Sequence, residues 1–259
     1  MEDTTIERFI KQIKQDPHFQ KLYKKTETEY KNSKKNDELY FWILFFSNIQ
    51  EEKKPFTKSQ MIKSLIYRIS LFYNRIWHTV KIRHSSKWWN QITKRIFLGA
   101  LPLKNHRKKM CQDNIKVVLS MVEDFERRKN FIATPVNKVM WEELGIENYQ
   151  ISVPDFNPLK LDAIYDGVSI VNRSISEKKN IYIHCKAGKS RSAAIVLSYL
   201  STYGKFDFYQ ALHIIKERRS IIQLKGKMKN LLLFYHIYGL VHNDQEQHLN
   251  FLLQYCKLH

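Results

Sequence analysis

Cys185 and Arg191, six residues apart in the stretch NIYIHCKAGKSRSAAIVLSYL at 180–200, are the residue types and spacing that bear most directly on chemistry. A thiol is mostly protonated at neutral pH, so a nucleophilic cysteine needs a device that lowers its pKa. The spacing supplies one. The apolar run at 181–183 reads as a strand, the apolar run after Arg191 as a helix, and residues 186–190 as the tight loop between them. Amides of Lys186, Ala187, Gly188, Lys189 and Ser190 turned inward, the helix N-terminus and the Arg191 guanidinium would form an anion cradle around Cys185. The planar fork of Arg191 can also hold two equatorial oxygens of a phosphoryl group in transfer. Gly188 lets the backbone turn, and Ser192 can donate a hydrogen bond to the sulfur as a phosphocysteine intermediate breaks down. His184 precedes the nucleophile in the strand, which suits orienting the loop through a backbone hydrogen bond better than acting as a base.

The elements that must position these residues alternate. Strands are expected at 95–99, 116–121, 149–153 and 181–183, with helices between them and a helix at 191–203 that is apolar nearly all round and therefore buried. That order predicts an α/β domain with a central, mostly parallel sheet flanked by helices. Further helices are expected at 207–219, 227–241 and 244–256. Residues 1–90 contain no glycine and read as an all-helical N-terminal extension, leaving 91–259 as the catalytic domain. Asp37 is placed to cap the helix carrying LYFWILFF. A second helix opens at Thr57 and places Ile62, Leu65, Ile66, Ile69, Phe72 and Ile76 on one face, with Lys63, Arg68 and Arg75 off it. Such a helix can pack on a neighbouring domain or lie on an anionic membrane surface. Trp88 and Trp89 fit either interfacial anchors or a cap on the junction.

The chain carries 44 Lys and Arg against 25 Asp and Glu, a formal net charge of +19. Such an excess favours anionic partners: a phosphorylated lipid or phosphoprotein substrate, and a peripheral anionic membrane surface. No nucleic acid partner is expected. Cys111, Cys185 and Cys256 are odd in number and far apart, which suggests neither a disulfide framework nor a metal site, and no cofactor is required. The acidic N-terminus lacks an apolar core, which argues against a secretory or transit signal. The longest apolar run, at 39–46, falls far short of the roughly 20 residues that span a bilayer. An intracellular protein, soluble or peripherally membrane-bound, is expected; a mitochondrial location and bacterial delivery into a host cell are both compatible.

HCKAGKSRS at 184–192 resembles the HCxxGxxR[ST] signature of cysteine-dependent phosphatases of the protein tyrosine and dual-specificity superfamily, in the required strand-loop-helix context. The resemblance implies a general acid on a loop about thirty residues upstream, a role that falls on Asp155. In the competing reading Asp155 caps the following helix and Asp162 or Asp124 is the acid. RIFLGALPL at 95–103, WEELGIENYQISVPDF at 141–156 and LFYNRIWHTVKI at 71–82 are similar to the mitochondrial dual-specificity-type phosphatases of phosphatidylglycerophosphate, over roughly 71–236. The chain departs from them at Lys189, where Arg is common, and at Lys225-Gly226-Lys227, where they carry Arg-Pro-Gly. HCKAGK also resembles the loop of phosphoinositide 3-phosphatases, in which two loop lysines meet further phosphates; Lys186 and Lys189 would do so here unless they are merely solvated. The expectation is a metal-independent phosphomonoesterase acting on a phosphoinositide or phosphatidylglycerophosphate. The alternatives are a phosphotyrosine or dual-specificity protein phosphatase and a non-catalytic phospholipid-binding adaptor.

Overall fold

Three runs of apolar residues, Ile96–Gly99 (β2), Ile115–Ser120 (β3) and Asn180–His184 (β5), are buried except at Lys116 and Asn180. Strands without polar alternation are covered on both faces, as parallel strands are. A computed structural model of the chain describes residues 4–51, 87–127, 134–155, 157–224, 226–243 and 245–258. The amphipathic helix expected to open at Thr57 lies outside these residues. With Trp89–Gln91 (β1) and Glu147–Gln150 (β4) the strands form one sheet in the order β1-β2-β5-β3-β4, antiparallel only between β1 and β2. Helices Arg107–Gln112 (α4), Lys138–Glu142 (α5), Leu161–Ser176 (α6), Arg191–Thr202 (α7) and Phe208–Arg218 (α8) follow or flank these strands. The α/β class and mostly parallel sheet expected from sequence are therefore present.

The register fixes where a site can form. Gly99 pairs with His184, His184 with Ser120, and Ser120 with Gln150, so the four parallel strands end on one line. The segments leaving them converge at the carboxyl edge, where open α/β sheets place their ligands. Helix α7 starts there, and every residue from Arg191 to Ser201 is buried.

Two expectations need correction. The sequence reading admits no strand before residue 95, but Trp89–Gln91 adds an antiparallel edge, with Trp89 buried and its Nε1 donating to Asp113 Oδ2 at 2.8 Å. Trp89 is therefore part of the core and no membrane anchor; Trp88 donates to the Leu101 carbonyl at 3.2 Å and meets the His106 ring at a tilt, centroids 4.6 Å apart. The strand expected at 149–153 is instead Glu147–Gln150. Its ladder stops when β3 stops, with Ile151 N–H donating to Ser120 O, and the Val153 carbonyl serves Arg191.

Packing divides the chain into two units, one formed by Phe56–Leu159 with Asp166–Lys227 and containing the sheet. The other combines Met1–Pro55, Lys160–Tyr165 and Met228–His259. In the described residues it holds Thr5–Ile13 (α1), Pro17–Lys31 (α2), Glu38–Glu51 (α3), Met228–His242 (α9) and Glu246–Lys257 (α10). Asp37 caps α3, accepting from Tyr40 N–H at 2.7 Å, and the aromatic run of α3 is core: Phe9 meets Trp42 at 5.3 Å and Phe46 meets Tyr255 at 5.9 Å. The helices at the two ends of the chain thus pack together, so packing follows no single cut in the sequence. Among the described residues no helix is long and apolar enough to cross a membrane.

Candidate active site

The loop from Cys185 to Ser190 joins β5 to α7, and its shape follows from where its carbonyls go. Leu101 N–H donates to Lys186 O at 3.2 Å and Gln223 N–H to Lys189 O at 2.8 Å. Buried Arg219 donates through Nε to Gly188 O at 2.8 Å and through Nη2 to Ala187 O at 3.3 Å, while its Nη1 reaches Asn90 Oδ1 at 2.7 Å. Four successive carbonyls are held by outside donors, so the amides sharing those peptide planes, from Ala187 to Ser190, turn to the opposite side. Ser190 makes no side-chain cap, leaving the first amides of α7 free of one.

Gly188 is required for two reasons. Its φ is +63°, and a Cβ there would lie 2.3 Å from the Gly99 carbonyl carbon and oxygen. The conformation alone costs a non-glycine residue about 1–3 kcal/mol, before the collision with β2 is counted. Gly188→Ala should therefore lower the melting temperature and cut phosphatase kcat by at least about 10²-fold, the penalty for misplacing a reacting group by an ångström. Differential scanning calorimetry beside steady-state rates checks both; wild-type values in either would contradict this account of the loop.

Burial pushes the Cys185 thiol up. The Arg191 guanidinium, the Ser192 hydroxyl at 3.3 Å from Sγ, and the amides of Ser192 and Lys189 more than offset that, and the thiol stands below its ordinary pKa. His184 is buried beneath the loop, and burial, with Arg127 and Arg191 adding to it, lowers its pKa to about 3. A neutral ring fits its contacts, with Nδ1 donating to Cys185 O at 3.3 Å and Nε2 accepting from Ser120 Oγ at 2.7 Å.

Arg191 has five N–H donors, and their allocation can be followed. Nη1 and Nη2 meet both carboxylate oxygens of buried Glu126 at 2.7 and 3.0 Å, and the second Nη1 hydrogen goes to Val153 O at 2.8 Å. Nε is buried and makes no hydrogen bond among the described residues. The side edge of the guanidinium, Nε with the second hydrogen of Nη2, is therefore the fork a phosphoryl group can take. Asp155 stands beside that edge, with Oδ1 3.3 Å from Nη2 and Oδ2 3.8 Å from Lys186 Nζ. Lys186 is tucked in, its side chain 7% exposed, so it is no solvated loop lysine. Of the alternative acids, Asp124 is exposed and accepts from Gln150 Nε2 at 2.7 Å, and Asp162 is exposed and accepts from Ala163 N–H in its own helix turn.

Cys185, Arg191, Ser192 and Asp155 are thus brought together with the loop amides. Sequence reasoning missed Glu126, Arg219 and Ser120. Glu126 sits in the charged string Glu123-Asp124-Phe125-Glu126-Arg127, which reads as a solvated face, and Arg219 follows another arginine at the end of a helix. The one available signal was periodicity: Arg219 continues the stripe of Ala211 and Ile215, which are both buried.

A thiol with a lowered pKa, an inward ring of amides and a guanidinium held ready by a carboxylate define a cysteine-based phosphoryl-transfer protein. Comparison with known proteins supports the same class. The catalytic domain of dual specificity phosphatases matches over residues 96–237. A human protein named phosphatidylglycerophosphatase and protein-tyrosine phosphatase 1 is 32% identical over 173 residues, 64% of this chain and 84% of that protein. The Arabidopsis thaliana phosphatidylglycerophosphate phosphatase PTPMT1 is 26% identical over 174 residues, 65% of this chain and 49% of that protein. The crystal structure of PTPMT1 in complex with PI(5)P superposes with a TM-score of 0.54 at 28% identity, covering 59% of this chain and 97% of that one. The chain belongs to the dual specificity phosphatase catalytic-domain family. It is a cysteine-dependent phosphatase hydrolysing phosphomonoesters.

Proposed function

We propose that this chain hydrolyses a lipid phosphomonoester, phosphatidylglycerophosphate or a phosphoinositide, through a phosphocysteine. Cys185 Sγ attacks phosphorus while Arg191 and the amides of residues 186–190 hold the equatorial oxygens. Asp155 gives its proton to the departing alkoxide, and the S–P bond replaces the O–P bond. The Asp155 carboxylate then takes a proton from water as that water attacks phosphorus, and the Cys185 thiolate leaves with a hydrogen bond from Ser192. The observation that carries this reading is the Asp155 carboxylate standing 3.3 Å from the phosphate-binding edge of Arg191. A lipid substrate is supported by the names of the relatives, by the net charge of +19 and by Lys186 beside the acid, a second cation at the same site.

In this proposal the sheet-bearing unit is catalytic and the N-terminal part of the chain assists binding to an anionic membrane, mitochondrial or of a host cell. A protein phosphatase is the second reading, favoured by the words protein-tyrosine phosphatase in the name of the human relative. Phosphate release from phosphatidylglycerophosphate and PI(5)P in vesicles, set against phosphotyrosine peptides, separates the two. The lipid reading expects kcat/KM at least about 10-fold higher on one of the lipids, within reach of differential contacts to a head group. The reverse preference overturns it.

A further inference from the structure

Lys227 is a buried cation that the chemistry above does not use. It is 5% exposed, in the Lys225-Gly226-Lys227 segment that departs from the Arg-Pro-Gly of the phosphatases the chain resembles. An ammonium is expensive to bury without a partner, so its contacts are informative. Its Nζ donates to the Asn157 carbonyl, two positions after Asp155. Two positions before Asp155, the Val153 carbonyl accepts from Arg191 Nη1 at 2.8 Å. The acid is therefore bracketed by two charge-assisted bonds to its own backbone. Pro154 and Pro158 further limit the segment by fixing φ. Burial pushes the Lys227 ammonium pKa down and Arg191 does the same, while Asp155 and Cys185 push it back up, so its charge is felt at both reacting groups.

We propose that Lys227 is a positioning residue: by holding the Asn157 carbonyl it fixes the Asp155 segment over the leaving oxygen, and it thereby sets how fully that oxygen is protonated as the O–P bond breaks. The inference rests on the reading of Asp155 as the acid. It deepens that reading by adding a residue that acts through the backbone of the acid's own segment. A misplaced acid matters most for leaving groups that cannot depart as anions, whereas a general loss of fold or of phosphate binding slows every substrate alike.

The test is kcat and KM for wild type, Lys227→Met, Lys227→Arg and Asp155→Asn on a series of aryl phosphates of rising leaving-group pKa. Lys227→Met should lose about 10²-fold in kcat on the poorest leaving group, the scale of a misplaced general acid, with little change on the best and little in KM. The dependence of rate on leaving-group pKa should steepen towards that of Asp155→Asn, and a variant combining Lys227→Met with Asp155→Asn should be no steeper than Asp155→Asn alone. Lys227→Arg, which can donate the same bond, should restore most of the loss. If Lys227→Met does not fold, Lys227→Gln carries the same expectation at smaller amplitude. A uniform fall across the series, or an unchanged dependence, overturns the role of Lys227. Should Asp155→Asn itself leave the dependence unchanged, the acid lies elsewhere and both readings fall; a steeper Asp155→Asn with a wild-type Lys227→Met removes only Lys227.

Discussion

Cys185→Ser ends phosphate release, with kcat falling by about 10⁵-fold or more, while the protein keeps its fold. The magnitude follows from loss of the attacking group of a covalent mechanism, since a serine hydroxyl beside Arg191 has no base to ionise it. The fold survives because the oxygen is no larger than the sulfur it replaces in a site that is 3% exposed. The same thiol gives a pH signature. Because Arg191, Ser192 and the loop amides bring Cys185 below its ordinary value while burial pushes Cys256 up to about 12, iodoacetamide should alkylate Cys185 with a midpoint well below that of Cys256. The sign for stability follows from linkage. A folded-state pKa below the unfolded value of about 8.5 favours the folded chain above that value, and the contribution disappears as the pH falls through the folded-state pKa. The melting temperature of wild type minus that of Cys185→Ser should therefore grow from neutral to alkaline pH. Residual turnover near wild type, or parallel melting curves at all pH values, would remove the thiolate from the mechanism.

How much of this site is legible in the sequence depends on the distance along the chain over which each part is built. Cys185, Gly188, Arg191 and Ser192 form within one strand-loop-helix, so local pattern places them without tertiary information. Asp155 was legible only through family resemblance, because a carboxylate before a helix reads equally well as a cap. Glu126, Arg219 and Lys227 reach the loop or the acid across 65, 31 and 70 residues of intervening chain. Each stands among other charges in a chain with 44 basic residues, where composition gives no reason to expect one of them inside. The sheet shows the same division. Apolar β2, β3 and β5 were found from their own residues; polar β4 was found with its bounds displaced and three-residue β1 was missed, because their extent is set by pairing with neighbours, which has no local signature at that length.

Arg191→Lys is the second large loss, and the accounting of donors says why charge alone does not replace the guanidinium. Four tasks meet on Arg191: two oxygens of Glu126, the Val153 carbonyl and the fork beside Asp155. A lysine has three donors on one point and no planar edge, so it can satisfy Glu126 or a phosphoryl group but not both. Glu126 is fully buried, and depriving a buried carboxylate of its partner costs about 3–5 kcal/mol when no charge takes its place. The lysine is therefore expected to turn to Glu126 and to leave the phosphoryl oxygens with the amides alone. With two donors lost to the transition state, each worth about 10²- to 10³-fold at its lower and upper limits and not fully additive, kcat/KM should fall by about 10³- to 10⁴-fold. Affinity for vanadate, a trigonal bipyramidal mimic of the transferring phosphoryl group, should fall in parallel, while Cys185 alkylation shows the thiolate still largely formed. Glu126→Gln provides the converse: Arg191 keeps its charge and fork but loses its anchor, so the rate should fall less than in Arg191→Lys, and the melting temperature should fall too. Arg191→Lys retaining a tenth or more of wild-type kcat/KM would mean that the amides of the loop, turned inward because Arg219, Leu101 and Gln223 hold its carbonyls, carry the transition state without the fork.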